Sequence, residues 1–242
     1  MRFITFLSAI MLLSAGGAKA QLGFGGEVGL NCSNYMVKKS GTEVETKNRF
    51  GMRLGGLADI AISDNFFLQP GLYFVSNGYH RNFPGGKDEV GLNTLELPVN
   101  IEYKIGMLGT NRFFVGAGPY ASLYTGGYYK VFSPLYVDSK SDLRIGGGAT
   151  DQIRGFDLGL GANVGYQLTA GLFFRARVQA GLLNLAAPIN NNDNFVRSFN
   201  FCFSAGYIFY RRDKEGRLII KRKEREADRK NKKYAEEHRT KK

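Results

Sequence analysis

The feature that most restricts this chain is a period of two that persists over nearly two hundred residues. Leu22, Phe24, Gly26, Val28, Leu30 and Cys32 alternate with Gly23, Gly25, Glu27, Gly29, Asn31 and Ser33. The separation repeats in Phe50, Met52, Leu54, Ala58, Ile60 and Ile62 against Arg53 and Asp59, and in Leu95 to Tyr103 against Thr94, Glu96, Asn100, Glu102 and Lys104. It returns in Phe156 to Tyr166 against Asp157, in Leu172 to Ala180 against Arg175, Arg177 and Gln179, and in Phe199 to Phe209 against Ser198, Asn200 and Ser204. Two further runs, Phe66 to Gly78 and Phe113 to Thr125, alternate less cleanly. Alternation at this period is the mark of strands with one apolar face, so the sequence predicts eight of them. No uninterrupted apolar run of about 18 residues follows residue 20, which removes a membrane-spanning helix from the mature chain.

Which face points inward decides the class. A water-soluble barrel hides its large apolar side chains, yet here the polar faces are crowded with glycine and ion-pairable groups while the apolar faces carry Leu, Val, Phe and Tyr. That is the pattern of an inside-out, lipid-facing barrel. The expected fold is all-β, an eight-stranded antiparallel transmembrane β-barrel, with a charged, helical C-terminal tail. Glu27, Arg53, Asp59, Glu96, Glu102, Lys104, Asp157, Arg175, Arg177 and Gln179 would then form a structural polar network that fills the lumen. Links around Ser63 to Asn65, Gly106 to Asn111 and Thr169 to Gly171 are short, whereas Val37 to Arg49, Tyr79 to Gly91, Gly126 to Gln152 and Asn184 to Asn194 read as long polar loops. Short periplasmic turns and long extracellular loops are the outer-membrane arrangement. An even number of strands returns the chain to the periplasm, and the barrel must close because an open edge in hydrocarbon leaves backbone groups unpaired.

The ends carry separate signals. Arg2, the apolar stretch Phe3 to Ala15 and Ala18-Lys19-Ala20 have the three parts of a secretory signal over residues 1–20. The barrel domain then occupies 21–210 and a basic periplasmic tail 211–242. The formal charge of +12 is concentrated in that tail, where 15 Lys and Arg face 7 Asp and Glu. Its ordinary reading is a solvated extension; the alternative is contact with anionic lipid, cell-wall material or a periplasmic protein. Export sets nucleic acid aside as a partner, and the barrel's own partner is outer-membrane lipid. The expected state is a monomer.

Several residues invite chemistry. Pro70, Pro98 and Pro119 fall inside strands, where a missing N–H predicts local bulges. Cys32 and Cys202 would reach similar depth on paired first and last strands, but their parity points them to opposite faces. Catalysis by His80, with Ser76 and Asp88 as neighbours, is weaker than an exposed rim histidine, and His238 lies in the tail. Gly159 to Gly165 lies in a strand and lacks the context of a phosphate loop. Asn190 to Asn194 lacks the spaced carboxylates of a calcium site and reads as a turn. No catalytic residue, metal ligand or cofactor is expected.

The segments Gly55-Gly56, Phe67-Leu68-Gln69-Pro70-Gly71-Leu72-Tyr73-Phe74, Leu95-Glu96-Leu97-Pro98-Val99, Gly116-Ala117-Gly118-Pro119-Tyr120 and Gly206-Tyr207-Ile208-Phe209 carry a likeness. Together they resemble the porin-like outer-membrane β-barrel family of Bacteroidetes, which includes PorT-like proteins. The resemblance spans about Gly23 to Phe209 and implies an accessory role in protein secretion. It also implies that the three prolines are tolerated in such barrels. The chain departs from the usual pattern in running on past its last aromatic strand and in having no tryptophan for an interfacial girdle.

An eight-stranded barrel is only wide enough to be filled by side chains or to hold one small ligand. The expected function is therefore a non-enzymatic membrane scaffold or interaction module. A narrow channel is the alternative, followed by a secreted soluble ligand-binding barrel and a barrel enzyme.

Overall fold

The computed structural model describes residues 22–39, 41–106, 110–133, 136–146, 153–186 and 194–210. The secretory signal, the tail with its expected helix and His238, and Asn190 to Asp193 lie outside the described residues.

Ten strands and no helix are found among the described residues: β1 (Leu22–Lys39), β2 (Thr42–Val44), β3 (Lys47–Ala61), β4 (Phe66–Phe83), β5 (Gly86–Ile105), β6 (Arg112–Ser133), β7 (Tyr136–Asp142), β8 (Phe156–Gln167), β9 (Leu172–Gly181) and β10 (Phe195–Tyr210). Eight of them, β1, β3, β4, β5, β6, β8, β9 and β10, follow one another by hydrogen-bonded neighbours, and β10 pairs with β1 to close the ring. β2 and β7 are return arms that pair with β1 and β6 beyond the ring.

The alternation orients every stave. Leu97, Val99 and Ile101 expose 53%, 40% and 54% of their surface, while Glu96 and Glu102 on either side of them are buried. The exposed apolar belt continues through Phe24, Val28, Leu30, Phe66, Phe113, Leu160, Phe174, Phe199, Phe203 and Phe209. Such a belt outside a polar interior is stable only against hydrocarbon. Three short turns join staves at one end. At one of them Gly171, with φ 104, closes a hairpin in which the Leu168 amide donates to the Leu172 carbonyl at 2.7 Å.

At the other end the structure corrects the sequence. Tyr79 to Gly91 is no open loop: β4 and β5 continue as one hairpin from Gly78↔Gly91 to Phe83↔Gly86, turning on Pro84-Gly85 with Gly85 at φ 93. Proline followed by a positive-φ glycine suits a type II turn. The Val37–Arg49 and Gly126–Gln152 segments likewise contain paired arms, Val37↔Val44 and Tyr128↔Asp142 among their rungs. The inner sides of these hairpins build a small apolar core from Tyr35, Val37, Val90, Leu92, Tyr124 and Leu185, with Tyr79, Tyr129, Leu143 and Ile153 packed against it.

The prolines are a second correction, for none of them makes a bulge. Pro70 pairs with Val99, Pro98 with Tyr120 and Pro119 with Leu160, all without a change of register. The ladder instead skips two rungs toward the preceding strand: from Leu57↔Gly71 to Ile60↔Leu68, from Pro70↔Val99 to Tyr73↔Glu96, and from Pro98↔Tyr120 to Ile101↔Ala117. Each gap is what one missing donor removes from an otherwise continuous antiparallel pair. The register shifts lie elsewhere, at Asn48/Arg53, Asn93/Thr94 and Val131/Ser133, near or beyond the upper edge of the apolar belt.

Candidate functional site

The lumen is where the inward faces of all eight staves converge. Alternation places Asp59 on β3, Gln69 on β4, Glu102 and Lys104 on β5 and Arg175 on β9 with their side chains inside, and all are buried. Lys104 Nζ donates to both Asp59 oxygens at 2.8 Å and to Gln167 Oε1 at 3.3 Å. The Gln69 amide donates to Asp59 Oδ1 at 3.0 Å and to Glu102 Oε2 at 3.1 Å. Arg175 then links three partners: Glu27 Oε2 at 2.6 Å, Gln69 Oε1 at 2.5 Å and Glu102 Oε1 at 2.9 Å. Glu27 also accepts from Tyr73 at 2.8 Å and Ser204 at 2.6 Å. Nearer the hairpin end, Glu96 Oε1 lies 2.9 Å from Arg53 and accepts from Gln179 at 2.9 Å.

All ten residues singled out in the sequence are thus buried inside the ring, but they are not one cluster. Glu27, Asp59, Glu102, Lys104 and Arg175 are joined through Gln69, and Arg53, Glu96 and Gln179 form a second group. Asp157 is apart, accepting from Ser198 at 2.8 Å. Arg177, likewise buried, makes no hydrogen bond or ion pair with any described residue.

The sequence reading missed the aromatic half of this interior. Tyr73, Phe67, Phe114, Tyr120 and Phe173 are buried among the charges, and the Arg53 guanidinium carbon lies 3.9 Å from the Tyr73 ring centroid. Lys104 Nζ is 4.3 Å from the Phe67 ring. A cation over an aromatic face keeps part of its electrostatic stabilisation after losing water. Glycine beside Tyr73, Phe114, Tyr120 and Phe173 supplies the room: a Cβ on Gly165 would sit 2.2 Å from the Phe114 ring, and one on Gly159 would sit 2.3 Å from the Tyr120 ring. The available signal was the imperfect alternation of Phe66 to Gly78 and Phe113 to Thr125, where aromatics occupy both parities.

Beyond the belt, a second polar group sits on the outer side of the hairpins. Arg49 donates to Glu89 at 2.9 Å, Ser76 at 3.2 Å, the Asn77 carbonyl at 2.9 Å and Tyr128 at 3.0 Å. Burial pushes the Glu89 carboxyl upward, but hydrogen bonds from Tyr128 and Arg49 outweigh it and hold the group below the ordinary glutamate value. On the inner side, Arg81 pairs with Asp88, which also accepts from Tyr129 at 3.0 Å. His80 projects outward with Ser76, whereas Asp88 points inward, so these three do not assemble as nucleophile, base and orienting acid. Cys32 and Cys202 are both free thiols. Among the described residues no group of three His, Cys, Asp or Glu is placed to hold a metal ion.

The sequence profile of the outer membrane protein beta-barrel domain matches residues 15–187, more than half of the chain. No curated protein sequence is significantly similar to it. Among solved structures, OprG from Pseudomonas aeruginosa is 13% identical, with 81% of this chain and 99% of that one covered at a TM-score of 0.44. Neisserial surface protein A is 15% identical over 77% and 97% of the two chains, with a TM-score of 0.41. Ail, the attachment invasion locus protein of Yersinia pestis, in complex with the heparin analogue sucrose octasulfate, is 13% identical over 78% and 99%, with a TM-score of 0.39.

Proposed function

From the chain's membership of the outer membrane protein beta-barrel domain family, we propose that it serves as a non-enzymatic scaffold or interaction module of the outer membrane. The observation that carries this reading is the filled lumen. The network through Asp59, Glu102, Arg175 and Glu27 crosses the interior, and the apolar core of Tyr35, Leu92, Tyr124 and Leu185 lies beyond it at the hairpin end. Ion pairs locked by several hydrogen bonds each are a poor conduction path, because a permeating ion would have to displace them in low dielectric. The ten lumen residues named from the sequence act here as structural filling, and the extended hairpins present the surface available to ligands or neighbours.

In this reading the turns and both termini face the periplasm and the hairpins face outward, as short turns and long extracellular arms do in this class. The protein is a monomer surrounded by outer-membrane lipid, and its basic tail meets anionic lipid, cell-wall material or a periplasmic protein. An accessory role in protein secretion follows only from the PorT-like resemblance. The decisive measurement is single-channel conductance of purified, refolded protein in planar bilayers, with liposome swelling in small sugars alongside. The scaffold reading expects no discrete openings and no swelling; regular openings would replace it with the narrow channel. Co-purification with the full chain and with a version ending at Tyr210 then assigns partners. A partner lost with the tail belongs to the tail, and one retained belongs to the barrel.

A further inference from the structure

The outer side of the hairpin sheet carries a charge arrangement that the lumen does not explain. Register aligns Lys47↔His80↔Glu89↔Lys130↔Lys140 across β3, β4, β5, β6 and β7. Lys130 and Lys140 stand directly opposite each other, a like-charge pairing that destabilises a sheet unless something offsets it. The nearest acid in the row, Glu89, is already engaged by Arg49 and Tyr128. No carboxylate among the described residues pairs with Lys47, Lys87, Lys130 or Lys140.

These cations rest on a built floor. Gly78 and Gly91 face each other in the next row; a Cβ on Gly91 would meet the Tyr128 ring at 2.5 Å, and one on Gly78 would meet Arg49 Cδ at 2.8 Å. The two glycines therefore let Tyr128 and Arg49 lie flat across the sheet. Lys140 Nζ is 5.1 Å from the Tyr128 ring, and Lys87 and Lys130 lie 5.0 and 5.1 Å from the Phe132 ring. The surface that results is aromatic underneath and carries an excess of positive charge above, since Glu89 and Asp142 on the same face are outnumbered by Arg49, Lys87, Lys130 and Lys140.

Its height selects the occupant. The last apolar row shared by these staves is Leu54–Phe74–Leu95–Leu123, with Phe50 above it on β3. Glu89 is six residues beyond Leu95 on β5, roughly 20 Å along the strand and about 15 Å above that row once the stave tilt is included. The surface faces away from the barrel axis, so at that height it meets the polar headgroups of the surrounding leaflet. We propose that this face binds the phosphorylated headgroup of an outer-leaflet glycolipid, with Lys87, Lys130 and Lys140 on the phosphates and the Tyr128 and Phe132 rings beneath the sugar. The assignment rests on the outward orientation of the hairpins given above.

The test uses the refolded full chain in zwitterionic micelles, titrated with lipopolysaccharide, its dephosphorylated form, inorganic phosphate and heparin. The expected result is saturable, salt-sensitive binding of lipopolysaccharide that is lost on dephosphorylation. It should weaken at least about tenfold in K87Q/K130Q/K140Q, given what each lysine contributes near an anionic surface. A variant with the same loss of charge off the platform, K38Q/R154Q/R197Q, should bind as the parent does. Heat-dependent gel mobility confirms that both variants fold. Unchanged binding by the platform variant, equal weakening in both variants, or equal affinity for heparin or free phosphate would overturn the proposal. Separately, a membrane-impermeant maleimide on intact cells carrying Lys140→Cys reports orientation, with the parent as blank. Labelling without glycolipid binding overturns the platform alone; binding without labelling overturns the outward orientation and, with it, the glycolipid as occupant.

Discussion

Arg175 and Arg177 sit two residues apart on the same inward face of β9, both buried, yet only Arg175 makes ion pairs, while the Arg177 guanidinium carbon lies 5.9 Å from the Tyr73 ring centroid. Arg175 neutralises Glu27 and Glu102 together, so its removal strands two buried carboxylates. Breaking a buried pair in that way costs about 3–5 kcal/mol. Arg175→Met should therefore lower stability by that order, whereas Arg177→Met, which removes a guanidinium without a hydrogen-bonded partner, should cost less than about 1 kcal/mol or stabilise the fold. Urea titration in phospholipid vesicles, read by the mobility difference between folded and unfolded chains, measures both; the absence of tryptophan makes the gel the better readout. Comparable losses in the two variants would mean that Arg177 is tied into the network after all. Glu89 supplies a pH-dependent counterpart outside the membrane. Its folded value is depressed by Tyr128 and Arg49 against the pull of burial, so its contribution is complete above the ordinary glutamate range and disappears as pH falls through the lower folded value. Protease nicking of the hairpins should accordingly rise on acidification through that window. In Glu89→Gln this step should be missing and nicking should be higher at neutral pH.

At the level of strands, what the sequence revealed follows from where hydrocarbon enforces a rule. Between Leu95 and Ile105 or Phe156 and Tyr166 one face must be apolar, and the period of two survives, so the staves and their inward residues are readable. Above Leu95 neither face is held to lipid, and Lys87, Asp88 and Glu89 occupy consecutive positions of a fully paired strand. Polar composition there looks like a loop, although the Pro84-Gly85 dipeptide was a turn signal within it. The regular register at the prolines has a related reason. A bulge removes a bad rung by adding a residue, but in a closed ring an added residue would shift all later side chains to the wrong face, so the loss of one donor costs less than the shift. Gly118 shows the local adjustment before Pro119: a Cβ there would lie 2.0 Å from the Val99 carbonyl oxygen, which faces the missing donor. Gly118→Ala should thus destabilise the barrel by about 2 kcal/mol or prevent its assembly, while Gly126→Ala, where nothing lies within 4 Å of the added carbon, should assemble normally. Refolding yield into vesicles compares the two, and equal yields would show that the β5–β6 ladder gives way easily at its proline gap.

Across the whole barrel, two layers of different chemistry lie along one axis, and the proposed scaffold reading makes them barriers in series. The ion-paired layer resists an ion electrostatically, since Arg53 is paired with Glu96 and Arg175 with Glu102. The hairpin core resists it by being apolar, with Tyr35 and Tyr124 in hydroxyl contact at 3.4 Å and Leu185 fully buried beside them. Barriers in series are governed by the higher one, so opening either alone leaves the path closed. Arg53→Ala with Arg175→Ala should give no conductance while the apolar core is intact, and Tyr35→Ala with Leu185→Ala should give none while the ion pairs remain. Only the combined variant should show discrete openings in planar bilayers, and these should be small, because eight staves enclose too little space for a wide pore. Openings from either pair of substitutions alone would mean that only one of the layers seals the barrel. Both layers were assembled from parts that alternation exposes unequally. The charges stand out against an apolar belt, but the hairpin core is made of Tyr, Val and Leu from four separate segments, which become neighbours only after the hairpins fold above the ring.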